Sequence, residues 1–221
     1  MNESKETTSF GGLLEWVKDS GSIKSEDLVG FTLPLLDTVR RLHENKKVAH
    51  ITSSQQLVFD DGFLDLTTDG VEFKTSGHLF KKPVNYNAID LTEEFHEKTN
   101  LDNHSIEQQN KLLHFEEELP TQPAYLLSYK AWDAEFGHYD PLTDIHVIGL
   151  YIASLAFGLD FNEKEDLKRF VDYRNSLYFL NKNLHPTLLS VIYEMTSLYR
   201  EDRTRNLEEV IVKFKNYREY N

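Results

Sequence analysis

Two adjacent carboxylates, Asp60 and Asp61, look like a metal pair, since paired carboxylates are a common way to hold a divalent cation. Their setting gives them another use. They open the triplet Asp60-Asp61-Gly62 between apolar runs, and Asp-Gly in that setting is the chemistry of a tight hairpin turn. Nine histidines are scattered along the chain without H-x-x-x-H spacing, which argues against a zinc site. There is no cysteine, so disulfides and cysteine-ligated zinc are excluded. The polar run that could serve as a catalytic loop reads Ile51, Thr52, Ser53, Ser54, Gln55, Gln56. It has the shape of such a loop and almost none of the chemistry.

The elements that must position these residues follow from the apolar periodicity. Val48 to Gly70 reads as an irregular loop, a strand ending at Phe59, the Asp60-Asp61-Gly62 turn and a second strand through Leu64 and Leu66. Before it, Ser25 is a good N-cap for a long helix with Leu28, Phe31, Leu35, Val39 and Leu42 at helical spacing, interrupted by Pro34. Residues 1–10 form a polar, flexible N-terminus, and Leu13, Leu14 and Val17 mark a short helix that stops near Gly21. After Gly70 the pattern dissolves in an acidic insertion from Val71 to Gln122, where five lysines face ten acids. A loop of that length is expected to be either disordered or functional. Within it, Ser105 and Gln108 resemble a capping box, and Leu112, Leu113 and Phe115 form a stripe that either docks a partner or folds back on its own domain.

Beyond Pro123 the chain becomes apolar again. Thr143 is expected to cap a helix from Asp144 to Phe157 that is apolar on all sides and therefore buried. Three amphipathic helices follow, from Glu163 to Tyr173 capped by Asn162, from Pro186 to Tyr199, and from Leu207 to Arg218 capped by Asn206. The expected fold is α+β, mainly α, with one small β-hairpin.

With 221 residues and 39% apolar content, one domain spanning 11–221 can bury a proper core. A net charge of -13 disfavours nucleic acid and anionic membrane surfaces and suits a protein partner, a basic one best. No apolar run approaches the roughly 18 residues of a membrane span, and the polar start is not a signal peptide. From these features the chain is expected to be cytoplasmic.

In order, these residues resemble the C-terminal lobe of the protein kinase family. There a helix leads into an HRDLKPENILL loop and strand, then a turn and a strand ending in DFG. LLDTVRRLHENKKVAHITSSQQLVFDDGFLDLTTDG, from Leu35 to Gly70, lies along that pattern without a gap. Gly11-Gly12-Leu13-Leu14 looks like the end of the hinge, and Pro123-Ala124-Tyr125-Leu126 like the P-E-Y-L before APE. Thr143-Asp144-Ile145-His146-Val147-Ile148-Gly149 is similar to the S-D-V-W-S-L-G that opens the buried central helix. Arg203 or Arg205 before Leu207-Glu208-Glu209-Val210 resembles the D-x-x-R-P-T-x-E-E-V ending.

The same register removes the chemistry of phosphoryl transfer, which needs an orienting carboxylate, a lysine and magnesium ligands. The HRD aspartate falls on Ile51, the loop lysine on Ser53, the asparagine on Gln56 and the DFG aspartate on Thr68. Only ten residues precede Gly11, so the N-terminal lobe with its Gly-rich loop is expected to be missing from this chain. Asp69 is a metal ligand only if the register slips by one. His50 takes the place of the HRD arginine and reads as solvated or core-packed. The APE glutamate falls on Tyr129, which leaves the arginine at 203 or 205 without its usual partner. Asp144 keeps its identity. The resemblance implies a buried anchor there that accepts hydrogen bonds from the loop backbone, as a buried carboxylate requires.

What the resemblance implies is a pseudokinase-like scaffold or regulatory module, not an enzyme, with protein partners and no cofactor. Two other readings stay open, a regulatory domain or subunit of a larger ATP-driven complex, and an atypical nucleotide-binding or phosphotransfer enzyme whose N-lobe is supplied in trans.

Overall fold

The computed structural model describes residues 8–67, 73–75, 126–131, 134 and 139–220. Leu112, Leu113 and Phe115, the Ser105–Gln108 box, and Thr68 and Asp69 lie outside them.

The polar N-terminus enters structure earlier than its composition suggests. Strand β1 (Thr8–Ser9) pairs antiparallel with residues 58–59, and helix α1 (Phe10–Asp19) starts at once, with the Ser9 hydroxyl accepting from the Gly12 amide at 3.2 Å. Burial of Phe10, Leu13, Leu14 and Val17 on one face explains why so short a helix holds.

Helix α2 (Ser25–Glu44) runs through Pro34, burying Leu28, Leu35, Leu36 and Val39 completely. Ser25 is not its N-cap. Lys24 holds that position without a side-chain bond, while the Ser25 hydroxyl accepts from the His185 amide at 2.8 Å and donates to the Asn183 carbonyl at 3.3 Å. A buried hydroxyl that satisfies a distant backbone amide is taken from its own helix end.

After α2 come β2 (Lys47–Val48), β3 (Leu57–Asp60) and β4 (Phe63–Leu66). β3 and β4 form a hairpin with Leu57 opposite Leu66 and Asp60 opposite Phe63, so the strand runs one residue past Phe59. Its two-residue turn, Asp61-Gly62, has φ of 51° and 88°, and positive φ at both positions matches the right-handed twist of the strands. With β1 the hairpin makes a three-stranded sheet in the order β1-β3-β4. Two further pairs are β2 with β5 (Lys74–Thr75) and β6 (Leu126–Leu127) with β7 (Lys130–Ala131).

Helix α3 (Pro141–Phe157) is buried at every position from Thr143 to Ala156. Its cap is Asp140, not Thr143: the Asp140 carboxylate accepts from the Thr143 amide at 3.1 Å, and Pro141 takes the first helical position, where its missing N–H costs nothing. The other end closes at Gly158, whose φ of 61° suits a residue without a Cβ. α4 (Lys164–Asp172) brings Phe170 against Phe157 at the end of α3, α5 (Pro186–Met195) packs on α3, and α6 (Leu207–Lys215) packs on α2 and α5. Asn162 does not cap α4; its side chain accepts instead from Ser128 at 2.7 Å. α5 stops at Met195 rather than Tyr199, because the Thr196 hydroxyl donates back to the Ile192 carbonyl at 2.7 Å while Arg174 binds Thr196 from outside. Asn206 does cap α6, accepting from the Glu208 amide at 2.9 Å, and the helix yields to a 3-10 turn at Tyr217–Glu219. α3 and α5 meet so closely at Gly149 that a Cβ there would stand 2.7 Å from the Met195 Cβ.

The fold is α+β and mainly helical, with the hairpin on one flank of α2 and the core running from α1 through α3 to α6. Among the described residues no helix is long and apolar enough to cross a membrane.

Candidate functional site

The C-terminus of α2, the first turn of α3 and the loop between β2 and β3 converge on one carboxylate. Asp144 is 3% exposed. Its Oδ2 accepts from the Ala49 amide at 2.6 Å and lies 3.0 Å from His43 Nε2, and its Oδ1 accepts from the His50 amide at 2.9 Å. The apolar repeat of α2 fixes the angle at which His43 reaches this point. The Asp140-Pro141 start of α3 sets Asp144 one turn inside the helix. A carboxylate placed there orders the loop from below, because two successive backbone amides must point at it.

Pulling both amides inward forces the backbone. His50 has φ of 46°, in the left-handed region that a residue with a Cβ enters only when its surroundings hold it there. Its ring packs edge-on against Tyr139 at 4.5 Å, and the Lys74 ammonium lies 5.1 Å from the centre of that same Tyr139 ring. The His50 imidazole is held below the ordinary histidine value, chiefly by burial and then by the Lys74 charge, with Asp144 pulling the other way.

The residues after His50 show what this ordered loop presents. Ile51 is 6% exposed and belongs to the hydrophobic core. Ser53 and Gln56 are exposed or half-buried and spend their polar atoms on the backbone and hydroxyls of their own turn. The Ser53 hydroxyl accepts from the Gln55 amide at 3.2 Å, and the Gln56 side-chain oxygen accepts from the Thr52 amide at 2.8 Å, the Thr52 hydroxyl at 3.1 Å and the Ser53 amide at 3.2 Å. This reciprocal capping box closes a short 3-10 turn, Ser54–Gln56, that leads into β3. No residue from Val48 to Phe59 carries a carboxylate. The loop therefore has a fixed backbone, a buried apolar side chain at its centre and polar side chains turned onto their own turn.

Asp60 and Asp61 stand at the exposed hairpin tip, away from Asp144 along both strands. Among the described residues no group of three or more histidine, aspartate or glutamate side chains is placed to hold a metal ion.

Two supports of the site were not foreseen. Arg200 forms an ion pair with Asp140 and donates to the Thr143 hydroxyl at 3.2 Å, so a residue some sixty positions later clamps the start of α3. Arg203 is 2% exposed and donates to the carbonyls of Ser197 at 2.8 Å, Leu198 at 3.3 Å and Leu142 at 3.4 Å, whereas Arg205 is exposed. An arginine expected to lack its partner is thus engaged by backbone carbonyls, which a forked guanidinium can reach in several directions. Tyr129 has a separate role. Its hydroxyl lies 2.7 Å from the Ser154 hydroxyl, donates to Asp160 at 3.2 Å and accepts from the Phe161 amide at 3.2 Å, while its ring stacks on Tyr151 at 4.5 Å. No signal in the sequence marks these tertiary partners, since each joins residues of different elements.

No protein-family model matches the sequence, and comparison with curated proteins finds no match.

Proposed function

We propose that this chain is a catalytically inactive, kinase-like module that acts through protein contacts. The observation that supports it most is Ile51. In the register described above it occupies the position of the proton-accepting aspartate, and its side chain is buried in the core at the centre of a loop that Asp144 holds in one geometry. A buried isoleucine cannot orient a substrate hydroxyl or receive its proton. Ser53 and Gln56, at the positions of the loop lysine and the metal-binding asparagine, are engaged in their own capping box. The frame is retained while the reactive groups are replaced, which is the pattern of a fold kept for its surface. The acidic charge of the chain favours protein partners over nucleic acid.

Affinity purification of the native protein followed by mass spectrometry tests the interaction half of this reading. A reproducible set of stoichiometric partners is expected, and recovery of nothing reproducible contradicts it.

A further inference from the structure

Among the described residues Trp16, on α1, is a large aromatic side chain left 53% exposed. It does not stand alone. Its ring meets Phe31 of α2 edge-on at 6.0 Å, and Phe31 meets Phe59 of β3 at 5.3 Å, so three elements contribute to one continuous aromatic ladder that ends in solvent. Asp19 lies one helical turn after Trp16 on α1 and Asp27 one turn before Phe31 on α2, spacings that put each carboxylate on the face of its aromatic neighbour, and Glu15 is the residue before Trp16. All three are exposed and none makes an ion pair among the described residues. Of the lysines on these segments, Lys18 is engaged with Asp166 at 2.9 Å, which leaves Lys24 as the one local cation without an acidic partner among the described residues.

An exposed indole with unpaired carboxylates one helical turn along its ladder has one natural complement. A lysine or arginine side chain gains over the face of the ring, gains again from the carboxylates, and lays its aliphatic stem along the aromatic surface. An anionic surface, whether nucleic acid or acidic membrane, is repelled by the same groups. A purely apolar partner leaves the carboxylates unused. Another exposed aromatic group among the described residues, Tyr173, Tyr178 and Phe179, has Asp172, Arg174 and Lys182 as its charged neighbours along the chain and makes no such selection.

We infer that the Trp16–Phe31–Phe59 ladder is a docking surface for a basic peptide segment of a protein partner, one that presents lysine or arginine beside an apolar side chain. The inference rests on the interaction-module reading and supplies its surface and the chemistry of its partner.

Displayed random peptides selected on the native chain, with counter-selection on a Trp16→Ala, Asp19→Lys, Asp27→Lys variant, test it without assuming a partner. Selected peptides should be rich in lysine and arginine next to apolar residues. A synthetic copy of one should bind about tenfold more weakly, or worse, to Trp16→Ala and to Asp19→Lys/Asp27→Lys, with affinity falling as salt rises. Phe179→Ser, on the other aromatic group, should bind it unchanged. Circular dichroism of each variant separates loss of the surface from loss of the fold. Selection of neutral or acidic peptides, failure to select any, or equal binding to wild type and the two ladder variants overturns the assignment. Those outcomes leave the interaction-module reading standing if native purification still recovers a stoichiometric partner, so the two failures are distinguishable.

Discussion

Asp144→Ala is the perturbation whose size follows most directly from the geometry. The carboxylate accepts from two backbone amides, Ala49 at 2.6 Å and His50 at 2.9 Å, and lies 3.0 Å from His43 Nε2. Ala49 is 4% exposed, so its orphaned N–H finds no water without movement of the loop, a loss of about 1–3 kcal/mol for a buried donor. The His50 amide is closer to solvent and recovers part of its loss, and removing the buried charge itself returns some desolvation energy. The expected net destabilisation is about 2–3 kcal/mol, with Asp144→Asn, which keeps one acceptor oxygen, at about half that. Urea unfolding followed by circular dichroism measures it, with an unchanged m-value marking a true stability effect. Hydrogen exchange gives the local readout. The Ala49 and His50 amides should be among those that lose most protection in Asp144→Ala, and one of the two in Asp144→Asn, which removes only one of their two acceptor oxygens. A destabilisation of Asp144→Ala below about 0.5 kcal/mol, the range of an ordinary surface substitution, would refute the reasoning.

Two further outcomes follow from the structure. Gly149→Ala should cost about 1–3 kcal/mol in the same unfolding experiment, because a Cβ would stand 2.7 Å from the Met195 Cβ and α3 and α5 would have to separate; an unchanged midpoint contradicts so close a packing. His50 is held below its ordinary value, so below that value the unfolded chain takes up a proton more readily than the native one, and the stabilisation present above about pH 6.5 is lost as the pH falls through the native value. In His50→Asn, a substitution that tolerates the positive φ, the decline in stability from about pH 7 to 5 should be shallower than in the wild type. Parallel curves would show that His50 contributes nothing to it.

The mainly helical α+β class was legible because the apolar spacing of α2 and α6 is strong and α3 is apolar throughout, and the hairpin because Asp61-Gly62 states its turn in two residues. What was not legible shares a physical cause. Ser25, Thr143 and Asn162 all have the chemistry of a helix cap, and whether a short polar side chain caps its own helix depends on what the rest of the fold brings near it. Ser25 was taken by the His185 amide, Thr143 lost its place to the Asp140-Pro141 pair, and Asn162 was taken by Ser128. β1 was hidden for the same reason, since Thr8 and Ser9 are strand residues only because Val58 and Phe59 offer them an edge. At the site, Ile51 and Asp144 were singled out through the resemblance to the kinase C-terminal lobe, not from composition or spacing. The Arg200–Asp140 clamp and the carbonyls around Arg203 were not, because those partners lie on different elements.

The proposed inactive, kinase-like reading requires that the loop over Asp144 has no nucleotide chemistry of its own. Thermal unfolding of the native chain with and without magnesium and ATP tests this, since any ligand bound by the folded state raises the melting temperature with its concentration. The melting temperature should be the same with magnesium alone, with ATP alone and with both. A rise that needs both and saturates as ATP increases would contradict the claim.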